Sequence, residues 1–263
     1  MVGYEEFLEY FWESFHLLSN FNLFMGFHLT LPSLREMWEG FLHLLFPEIC
    51  VACGQDLPVT GTCFCLTCQL ALAPSDMYML RENEFTDRFW GRLPLEGGAA
   101  LYHFTRKSPV QRALHQLKYH NKPDIGIKIG REFGKKLRDA EIFRSVDAII
   151  PVPLHPKKER LRGYNQSLMF AQGIAETMYL PVLNTVLTRN KFTASQTRKK
   201  RIERFQNVEQ VFTVKKPALV EGRHLLLVDD VLTTGATLEI CGRMLLEVPG
   251  TKLSLATIAI AGI

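Results

Sequence analysis

The stretch Leu225-Leu-Leu-Val-Asp229-Asp230-Val-Leu-Thr233-Thr234-Gly235-Ala236-Thr237 sets an apolar run directly before paired acids and a hydroxyl-rich turn. The run from Leu225 to Val228 predicts a buried strand of parallel type, because strands covered on both faces are continuously hydrophobic. The segment from Ala236 to Leu246 predicts a helix with an apolar face. Such an order indicates an open α/β sheet with a ligand site beyond the carboxyl end of the strand. An acidic pair that merely caps a helix is the alternative, and it leaves the coincidence of these features unexplained.

The turn after the acids has the chemistry of an anion site. The first turn of a helix offers unpaired N–H groups and the positive end of the helix dipole, and a glycine lets the backbone approach a phosphate closely. The predicted phosphate-binding residues are Thr233, Thr234, Gly235, Ala236 and Thr237. Asp229 and Asp230 would repel that phosphate, so we expect them to bind sugar hydroxyls or to lie near a hydrated Mg²⁺. A phosphate beside a polyol describes ribose 5-phosphate.

The composition is that of an ordinary folded protein with one acidic and one basic region. The chain has 263 residues, of which 47% are hydrophobic and 22% charged, and its net charge is +4. This length suits one large domain, or a main domain with a small appendage. Residues 1–49 are acidic, whereas residues 157–216 are strongly basic. A local basic field suits an anionic ligand, either a polyphosphate or a nucleic acid.

Residues 1–36 form an aromatic-rich extension. The aromatic spacing from Phe7 to Phe15 predicts an amphipathic helix that docks on the body of the protein or binds a partner, and a translation start at Met25 or Met37 is a further interpretation. Residues 14–34 contain no Asp, Glu, Lys or Arg, but their polar groups make insertion into hydrocarbon costly. The acidic flanks do not fit a signal peptide. We therefore expect a cytoplasmic protein without stable membrane insertion.

Five of the six cysteines lie between residues 50 and 68. The pairs Cys50-x-x-Cys53 and Cys65-x-x-Cys68 have the spacing of two zinc knuckles, whose four thiolates can surround a tetrahedral Zn²⁺. Cys63 is an alternative to Cys65, but its spacing to Cys68 is less usual. Four thiolate ligands leave no position for water, so the predicted zinc is structural. Reduced cysteines without a metal are the other interpretation.

A second predicted strand, Val146 to Ile150, is followed by a cluster of cations. The strand breaks at Pro151-Val-Pro153, since prolines do not continue a central strand. On the same sheet as the acidic pair, the loop after it would lie beside the ribose phosphate and bind pyrophosphate. A solvated basic loop is the alternative. The predicted pyrophosphate-binding residues are Lys157, Lys158, Arg160 and Arg162.

The polar, basic segment 191–207 has little apolar periodicity. It is predicted to be a mobile loop or loose helix that closes over a charged substrate and excludes water. Gln196, Arg201 and Arg204 are its candidate site residues. The alternative is a nucleic-acid-binding patch.

The remaining periodicity predicts five further elements. They are the strand Ala99–Phe104, the helices Val110–Tyr119, Ile125–Leu137 and Ser167–Met178, and the final strand Leu253–Ala261.

Together these residues resemble the ComF family of competence-related, phosphoribosyltransferase-like proteins. The stretch around Asp229 and Asp230 is similar to the PRPP-binding motif of type I phosphoribosyltransferases. The resemblance covers roughly Met37 to Ile263, and Lys199 departs from it, since family members more often have an apolar residue there. Its other motifs are Leu-Phe-Pro-x-x-Cys-x-x-Cys-Gly, Cys65-x-x-Cys68, Lys118-Tyr119, Pro-Val-Pro-Leu-His-Pro, Arg162-Gly-Tyr-Asn-Gln166, Gln196, Glu203-Arg204 and Asn207.

The resemblance implies an α/β fold. Its core is a type I phosphoribosyltransferase-like (Rossmann-like) parallel sheet with helices on both faces, preceded by a small N-terminal zinc-ribbon module. The expected boundaries are an extension at 1–36, the zinc-ribbon module at 37–73, a linker at 74–98 and the phosphoribosyltransferase-like domain at 99–263.

The resemblance also implies Mg²⁺–PRPP (phosphoribosyl pyrophosphate) as the ligand, with Mg²⁺ and a structural Zn²⁺ as cofactors. Asp229 and Asp230 would be the catalytic residues at the ribose, where a nitrogen nucleophile attacks C1 as pyrophosphate leaves. Single-stranded DNA and competence-machinery proteins are the further partners that the family implies. Three hypotheses stay open: an active transferase, a non-catalytic PRPP-sensing or single-stranded-DNA-handling accessory protein, and a zinc-ribbon interaction protein with a degenerate domain.

Overall fold

The computed structural model describes residues 48–57, 62–189 and 211–262, which belong to one compact unit, Glu48–Ile263. The strands are β1 (Gly97–Phe104), β2 (Ala148–Pro151), β3 (Leu187–Arg189), β4 (Phe212–Val214), β5 (His224–Leu232) and β6 (Lys252–Ala261). The helices are α1 (Leu66–Leu70), α2 (Glu84–Asp87), α3 (Pro109–Tyr119), α4 (Asp124–Asp139), α5 (Pro156–Arg162), α6 (Gln166–Met178) and α7 (Ala236–Leu246). Short 3₁₀ turns lie at Met77–Met79, Glu141–Phe143 and Pro217–Leu219.

A parallel sheet in the order β1-β6-β5-β2 forms the centre of the fold, which confirms the predicted parallel α/β class. Strand β5 is an inner strand, since Leu227 lies opposite Leu255 of β6 on one side and Ile150 of β2 on the other. Its residues Leu225–Val228 are fully buried, as their uninterrupted hydrophobicity predicts. Because β2 and β5 are parallel neighbours, their carboxyl ends lie at the same edge of the sheet, which we call the ligand edge.

Two expectations about this edge need correction. Strand β5 does not end at Val228 but runs on to Leu232, because its pairing with β6 continues, and both acids are therefore strand residues. The predicted basic loop at 157–162 is a short helix, α5. Local signals explain this helix: His155 Nδ1 accepts a hydrogen bond from the N–H of Lys157 at 3.2 Å, a proline occupies the first turn, and Gly163 ends the helix with φ +82.

A stripe of glycines brings α4 and α6 close together. Gly126, Gly130 and Gly134, four residues apart on α4, face α6. A Cβ atom on Gly130 would collide with the carbonyl oxygen of Phe170, and one on Gly173 of α6 would collide with the α4 backbone. Helix α6 in turn packs on β2 and β5, while α7 packs on β5 and β6. Helix α6, whose first turn lies at this edge, is thus held by close packing against α4.

Segment 74–98, predicted as a linker, contains secondary structure and contributes to the core. It includes α2, which begins with a capping box at Asn83. Phe85 and Phe89 on this segment are fully buried. The segment therefore packs against the body of the protein, and the domain boundaries stay a prediction.

Strands β3 and β4 form a separate antiparallel pair, with Arg189 opposite Phe212. The guanidinium of Arg189 lies 5.2 Å from the centroid of the Phe212 ring. The predicted lid, 191–207, and the aromatic extension, 1–36, lie outside the described residues. Within the described part of the chain, no helix combines the length and hydrophobicity that a membrane span needs.

Candidate functional site

The paired acids lie side by side at the ligand edge, and each has a distinct partner. Asp229 Oδ1 accepts hydrogen bonds from Ser167 Oγ and from the backbone N–H of Asp230, both at 2.8 Å. Asp230 Oδ2 forms an ion pair with Lys118 Nζ at 2.9 Å. Ser167 lies in the first turn of α6 and Lys118 in the last turn of α3. Contacts from α3, α6 and the backbone of β5 therefore fix the two carboxylates.

The pKa of Asp229 is far from that of an ordinary aspartate. Loss of solvation, followed by the neighbouring charge of Asp230, raises the pKa of Asp229 from 3.8 to about 7. The hydrogen bonds from Asp230 N–H and Ser167, and the charge of Lys118, act in the opposite direction. Near neutral pH Asp229 is thus only partly ionised.

The turn after β5 presents polar groups to solvent at the start of α7. Thr233, Thr234, Ala236 and Thr237 are exposed, whereas Gly235 is buried and has φ +79. Glycine is needed there twice over: its φ lies in the left-handed region, and a Cβ atom would press against the ring of Phe89. The turn therefore offers backbone N–H groups and hydroxyls to an anion at a helix N-terminus.

A buried arginine supports this turn from behind. Arg88 donates hydrogen bonds to the carbonyl oxygens of Thr233 at 2.8 Å and Ala261 at 2.6 Å. Its side chain is only 9% exposed and also pairs with Glu84. Because the arginine binds the turn's carbonyl from inside, it helps to hold the opposite face of the turn toward solvent.

The four predicted pyrophosphate-binding cations lie on α5, which follows the neighbouring strand β2. Lys157, Lys158 and Arg160 are exposed and form no ion pair with the residues that the structure describes. Arg162 instead donates a hydrogen bond to Gln166 Oε1 at 2.6 Å and lies 5.5 Å from the centroid of the Tyr119 ring. Three cations are thus directed to solvent and the fourth is tied to α3 and α6.

An exposed aromatic cluster lies next to Lys118. Tyr119 is 66% exposed, and its ring centroid lies 4.9 Å from that of His115, which is 5.3 Å from that of His120. With Arg162 at the Tyr119 ring, this cluster combines flat aromatic faces with positive charge.

Four cysteines converge beside α3, which contacts them through Arg112 and Gln116. The Sγ atoms of the predicted set lie within 4.8 Å of one another, and those of Cys53 and Cys65 are 3.6 Å apart. Tetrahedral zinc with Zn–S bonds of about 2.3 Å places its sulfurs about 3.8 Å apart, so the cluster can hold a metal ion. Burial opposes ionisation of Cys50, but N–H groups of Cys65, Ala52 and Cys53 outweigh it and lower its pKa to about 7. The set is Cys50, Cys53, Cys65 and Cys68.

Cys63 is directed away from this cluster. Its Sγ donates a hydrogen bond to Glu132 Oε2 at 3.1 Å, and Tyr102 Oη donates to the other carboxylate oxygen at 2.6 Å. Burial, together with the Glu132 charge, raises the pKa of Cys63 far above its ordinary value. The structure thus places Cys65, and not Cys63, with the other thiolates.

The acids, the turn, the cations and the cysteines stay predicted site residues, and the sequence did not predict which side chains contact the acids and the turn. Lys118 is part of the Lys118-Tyr119 motif, which gave a signal but no role. Asn165 caps α6, because its side chain accepts a hydrogen bond from the N–H of Ser167. Asparagine is a common helix-capping residue, so the sequence indicates a helix start at this position. Arg88 has no local signal. Gln196, Arg201 and Arg204 lie outside the described residues.

Comparison with known proteins agrees with this geometry. A family model described as "Phosphoribosyl transferase domain" matches residues 115–262, more than half of the chain. That range includes the acids, the turn, Lys118 and α5.

Curated relatives add a second likeness. The chain is 30% identical over 142 residues to the DNA utilization protein YhgH of Escherichia coli, covering 53% of this chain and 62% of that protein. It is 32% identical to competence protein F of Haemophilus influenzae over 52% of this chain and 62% of that protein. It is 28% identical to competence protein ComFC of Bacillus subtilis over 80% of this chain and 83% of that protein.

The match thus spans about 62% of the length of the first two relatives. The predicted resemblance to the ComF proteins is confirmed by these relatives, and the four-cysteine cluster fits a zinc ribbon ahead of the sheet. With the family model covering the ligand edge of the sheet, the chain belongs to the phosphoribosyl transferase domain family.

Proposed function

We propose that the chain binds Mg²⁺–PRPP and transfers its ribose 5-phosphate group to a nitrogen nucleophile, with release of pyrophosphate. The observation that carries this proposal is the edge where β5 and β2 end. There Asp229 and Asp230 lie in the last, turn-proximal part of β5, an exposed hydroxyl-rich turn follows the strand at a helix start, and the basic helix α5 follows the neighbouring strand.

Each part of this edge suits one part of the substrate. The turn from Thr233 to Thr237 would hold the 5-phosphate through N–H and hydroxyl donors. Asp229 and Asp230 would accept hydrogen bonds from the ribose hydroxyls. Lys157, Lys158, Arg160 and Arg162 would bind the pyrophosphate group. The segment 191–207, with Gln196, Arg201 and Arg204, would close over the bound substrate.

The reaction needs little covalent chemistry from the protein. A bond forms between the nitrogen and C1 of the ribose, the C1–O bond to pyrophosphate breaks, and its electron pair leaves with pyrophosphate. The nitrogen then loses a proton to water. Positive charge that develops on the ribose is stabilised by the two carboxylates, while the cations of α5 stabilise the departing anion. Bound Mg²⁺ would neutralise further charge on the diphosphate oxygens.

The cysteine cluster is proposed to hold a structural Zn²⁺. Zinc accepts four thiolates in tetrahedral geometry, and such a closed site has no position for a reacting water. Cys50, Cys65 and Cys68 are buried while Cys53 is exposed, an arrangement that suits a metal holding a small module against a larger body.

The names of the relatives suggest the setting. Proteins named for DNA utilization and for competence share this sequence pattern, so we propose a role linked to DNA uptake, in the cytoplasm as the sequence predicts.

Calorimetry with Mg²⁺–PRPP tests the proposed site. We expect wild type to bind and Asp230→Asn to bind about 10- to 100-fold more weakly, because a hydrogen bond to a charged acceptor contributes about 1.5–3 kcal/mol. Asp139→Asn, at an exposed acid on α4, is the matched control and should leave the affinity unchanged. An equal affinity in Asp230→Asn would contradict the assignment of this acid.

Turnover requires a separate measurement. Pyrophosphate release should be followed with Mg²⁺–PRPP and a panel of nitrogen acceptors, and the Asp230→Asn variant should abolish it. If PRPP binds and no acceptor releases pyrophosphate, the non-catalytic PRPP-sensing hypothesis replaces the transferase. If PRPP does not bind at all, both hypotheses fail.

A second candidate function, handling of single-stranded DNA, is favoured by the aromatic cluster at Tyr119. Bases stack on exposed aromatic rings, and nearby cations attract the phosphate backbone. Arg162 supplies positive charge at the Tyr119 ring, His115 contacts the same ring, and His120 in turn contacts His115. The basic segment 191–207, the alternative nucleic-acid-binding patch in the sequence, lies outside the described residues.

Fluorescence anisotropy with a labelled oligothymidylate tests this second function at low and moderate salt. Tyr119→Ala should weaken binding about fivefold or more, since base–aromatic stacking contributes about 1–3 kcal/mol per base. Tyr179→Ala removes another exposed tyrosine, one that is 83% exposed and belongs to the turn after α6. Equal losses in the two variants would count against a specific platform at Tyr119.

A further inference from the structure

Helix α3 contacts the cysteine cluster along one side and the acidic pair at its end. Gln116 Nε2 donates to the carbonyl oxygens of Val51 at 3.2 Å and Ala52 at 3.4 Å. These two residues are the ones between Cys50 and Cys53, so their carbonyls are positioned by the first metal knuckle. The helix therefore contacts backbone whose shape depends on two metal ligands.

The second knuckle contacts the same helix. Arg112, four residues before Gln116, places Nη2 3.8 Å from the Sγ of Cys68. The positive guanidinium therefore lies beside a sulfur of the proposed metal site, where it would offset part of the net negative charge of four thiolates. Both knuckles are thus joined to one face of α3.

Helix α3 also contacts Asp230, one of the two acids proposed to bind the sugar. Lys118, two residues after Gln116, pairs with Asp230, and the two side chains are only 24% and 18% exposed. So sheltered an ion pair is screened less by solvent than a surface pair. The orientation of Gln116 is also fixed, because its Oε1 accepts a hydrogen bond from Lys122 Nζ at 3.0 Å.

We propose that Arg112, Gln116 and Lys118 form a positioning path, in which the metal-bound knuckles hold α3 and α3 holds Asp230 in its ligand-binding orientation. This inference rests on the proposed function, because it assumes that Asp230 binds ribose. Without the metal, the Val51 and Ala52 carbonyls lose their fixed positions and the helix loses two hydrogen-bond acceptors. The Lys118–Asp230 pair then becomes less well placed.

Such a path makes the two sites thermodynamically linked. If metal raises the affinity for a sugar phosphate by some factor, the sugar phosphate raises the affinity for metal by the same factor. Because two neutral hydrogen bonds and one sulfur contact form the link, we expect a factor of about five, at the lower end of the usual range of coupling.

The test measures metal affinity in the full chain. Zinc-loaded protein is titrated with a chromogenic chelator of known zinc affinity, with and without saturating ribose 5-phosphate. Wild type should hold zinc about fivefold more tightly when ribose 5-phosphate is present. In the reciprocal experiment, loading with zinc should lower the dissociation constant for ribose 5-phosphate by the same factor.

Variants on α3 separate the path from general stability. Gln116→Ala should bind both zinc and ribose 5-phosphate while the coupling factor falls to about one. Gln111→Ala, at an exposed glutamine of the same helix whose side chain contacts Lys107, should keep the wild-type factor. If Gln116→Ala does not fold, Gln116→Glu keeps the size of the side chain but lacks the N–H donor, and it should also lose coupling.

The outcomes are distinguishable. A coupling factor of one in wild type, with ribose 5-phosphate binding intact, overturns the path and leaves the proposed function standing. An unchanged factor in the Gln116 variant overturns the role of Gln116. If wild type fails to bind ribose 5-phosphate at all, the proposed function fails first and the path with it.

Discussion

Asp229 serves two requirements that oppose each other. As the sugar ligand that we propose, it should be ionised, but loss of solvation and the adjacent Asp230 raise its pKa to about 7. Ser167 and the N–H of Asp230 stabilise the charged form without fully compensating. A residue held in this state at a ligand edge is typical of a binding or catalytic site rather than of a structural pair.

The stability of the protein should therefore depend on pH at this residue. The folded protein keeps the Asp229 proton up to about pH 7, whereas the unfolded chain releases it near 3.8. The contribution of Asp229 to the free energy of unfolding thus falls as pH rises from about 4 to 7. The Asp229→Asn variant has no carboxyl group to ionise at this position. We therefore expect its free energy of unfolding to exceed that of wild type by about 2 kcal/mol at pH 8.

Urea unfolding at pH 5 and pH 8 measures the difference. The difference in the free energy of unfolding between Asp229→Asn and wild type should be markedly smaller at pH 5 than at pH 8. The exposed Asp139→Asn should show no such change with pH. A constant difference at both pH values would show that the Asp229 proton is not involved.

Cys63 and Cys65 are two residues apart and differ fully in role. Cys65 lies with the three other thiolates, whereas Cys63 contacts Glu132. Cys65→Ser should lower bound zinc well below that of wild type, since loss of a ligand weakens a structural site severely. Cys63→Ser keeps a hydroxyl donor for Glu132 and should keep its zinc. Metal content after gel filtration checks both, and equal zinc loss in the two variants would contradict the ligand set.

At the scale of elements, the packing of α4 on α6 depends on the absence of side chains. Gly130 lies against the backbone of α6, near Phe170 and Gly173. Backbone has little freedom to move away, so an added methyl group must separate the helices.

Gly130→Ala should lower the free energy of unfolding by about 2 kcal/mol, because the overpacking outweighs the better helix propensity of alanine. Lys135→Ala, at an exposed position of the same helix, should change it by less than about 0.5 kcal/mol. The urea midpoint checks both variants. A stabilised Gly130→Ala would show that the two helices can move apart at little cost.

Sequence patterns predicted most of these elements. The helix expected at Val110–Tyr119 is Pro109–Tyr119, and the one expected at Ser167–Met178 is Gln166–Met178, because periodicity and capping are local. The extension of β5 to Leu232 could not be read locally, since it depends on pairing with β6. The glycine stripe of α4 was visible in the sequence, but its partner helix was not.

At the scale of the whole molecule, the site also contains some residues that local sequence predicts and others that only the fold brings together. The acids, the turn and the cysteine knuckles are short motifs, so the sequence predicts them. Lys118, Ser167 and Arg88 reach the site from distant parts of the chain, and only the fold brings them there. The predicted parallel sheet explains where the acids lie but not which side chains hold them.

The bond from Arg88 to the Thr233 carbonyl spans 145 residues of sequence. Phe89, its neighbour, lies under Gly235 in the same turn. Contacts between such remote positions are slow to form, because a long loop must close before they gain any free energy. We therefore expect the turn from Thr233 to Thr237, the proposed phosphate site, to be among the last features to form during refolding. Phosphate binding should then recover more slowly than the far-ultraviolet circular dichroism of the helices.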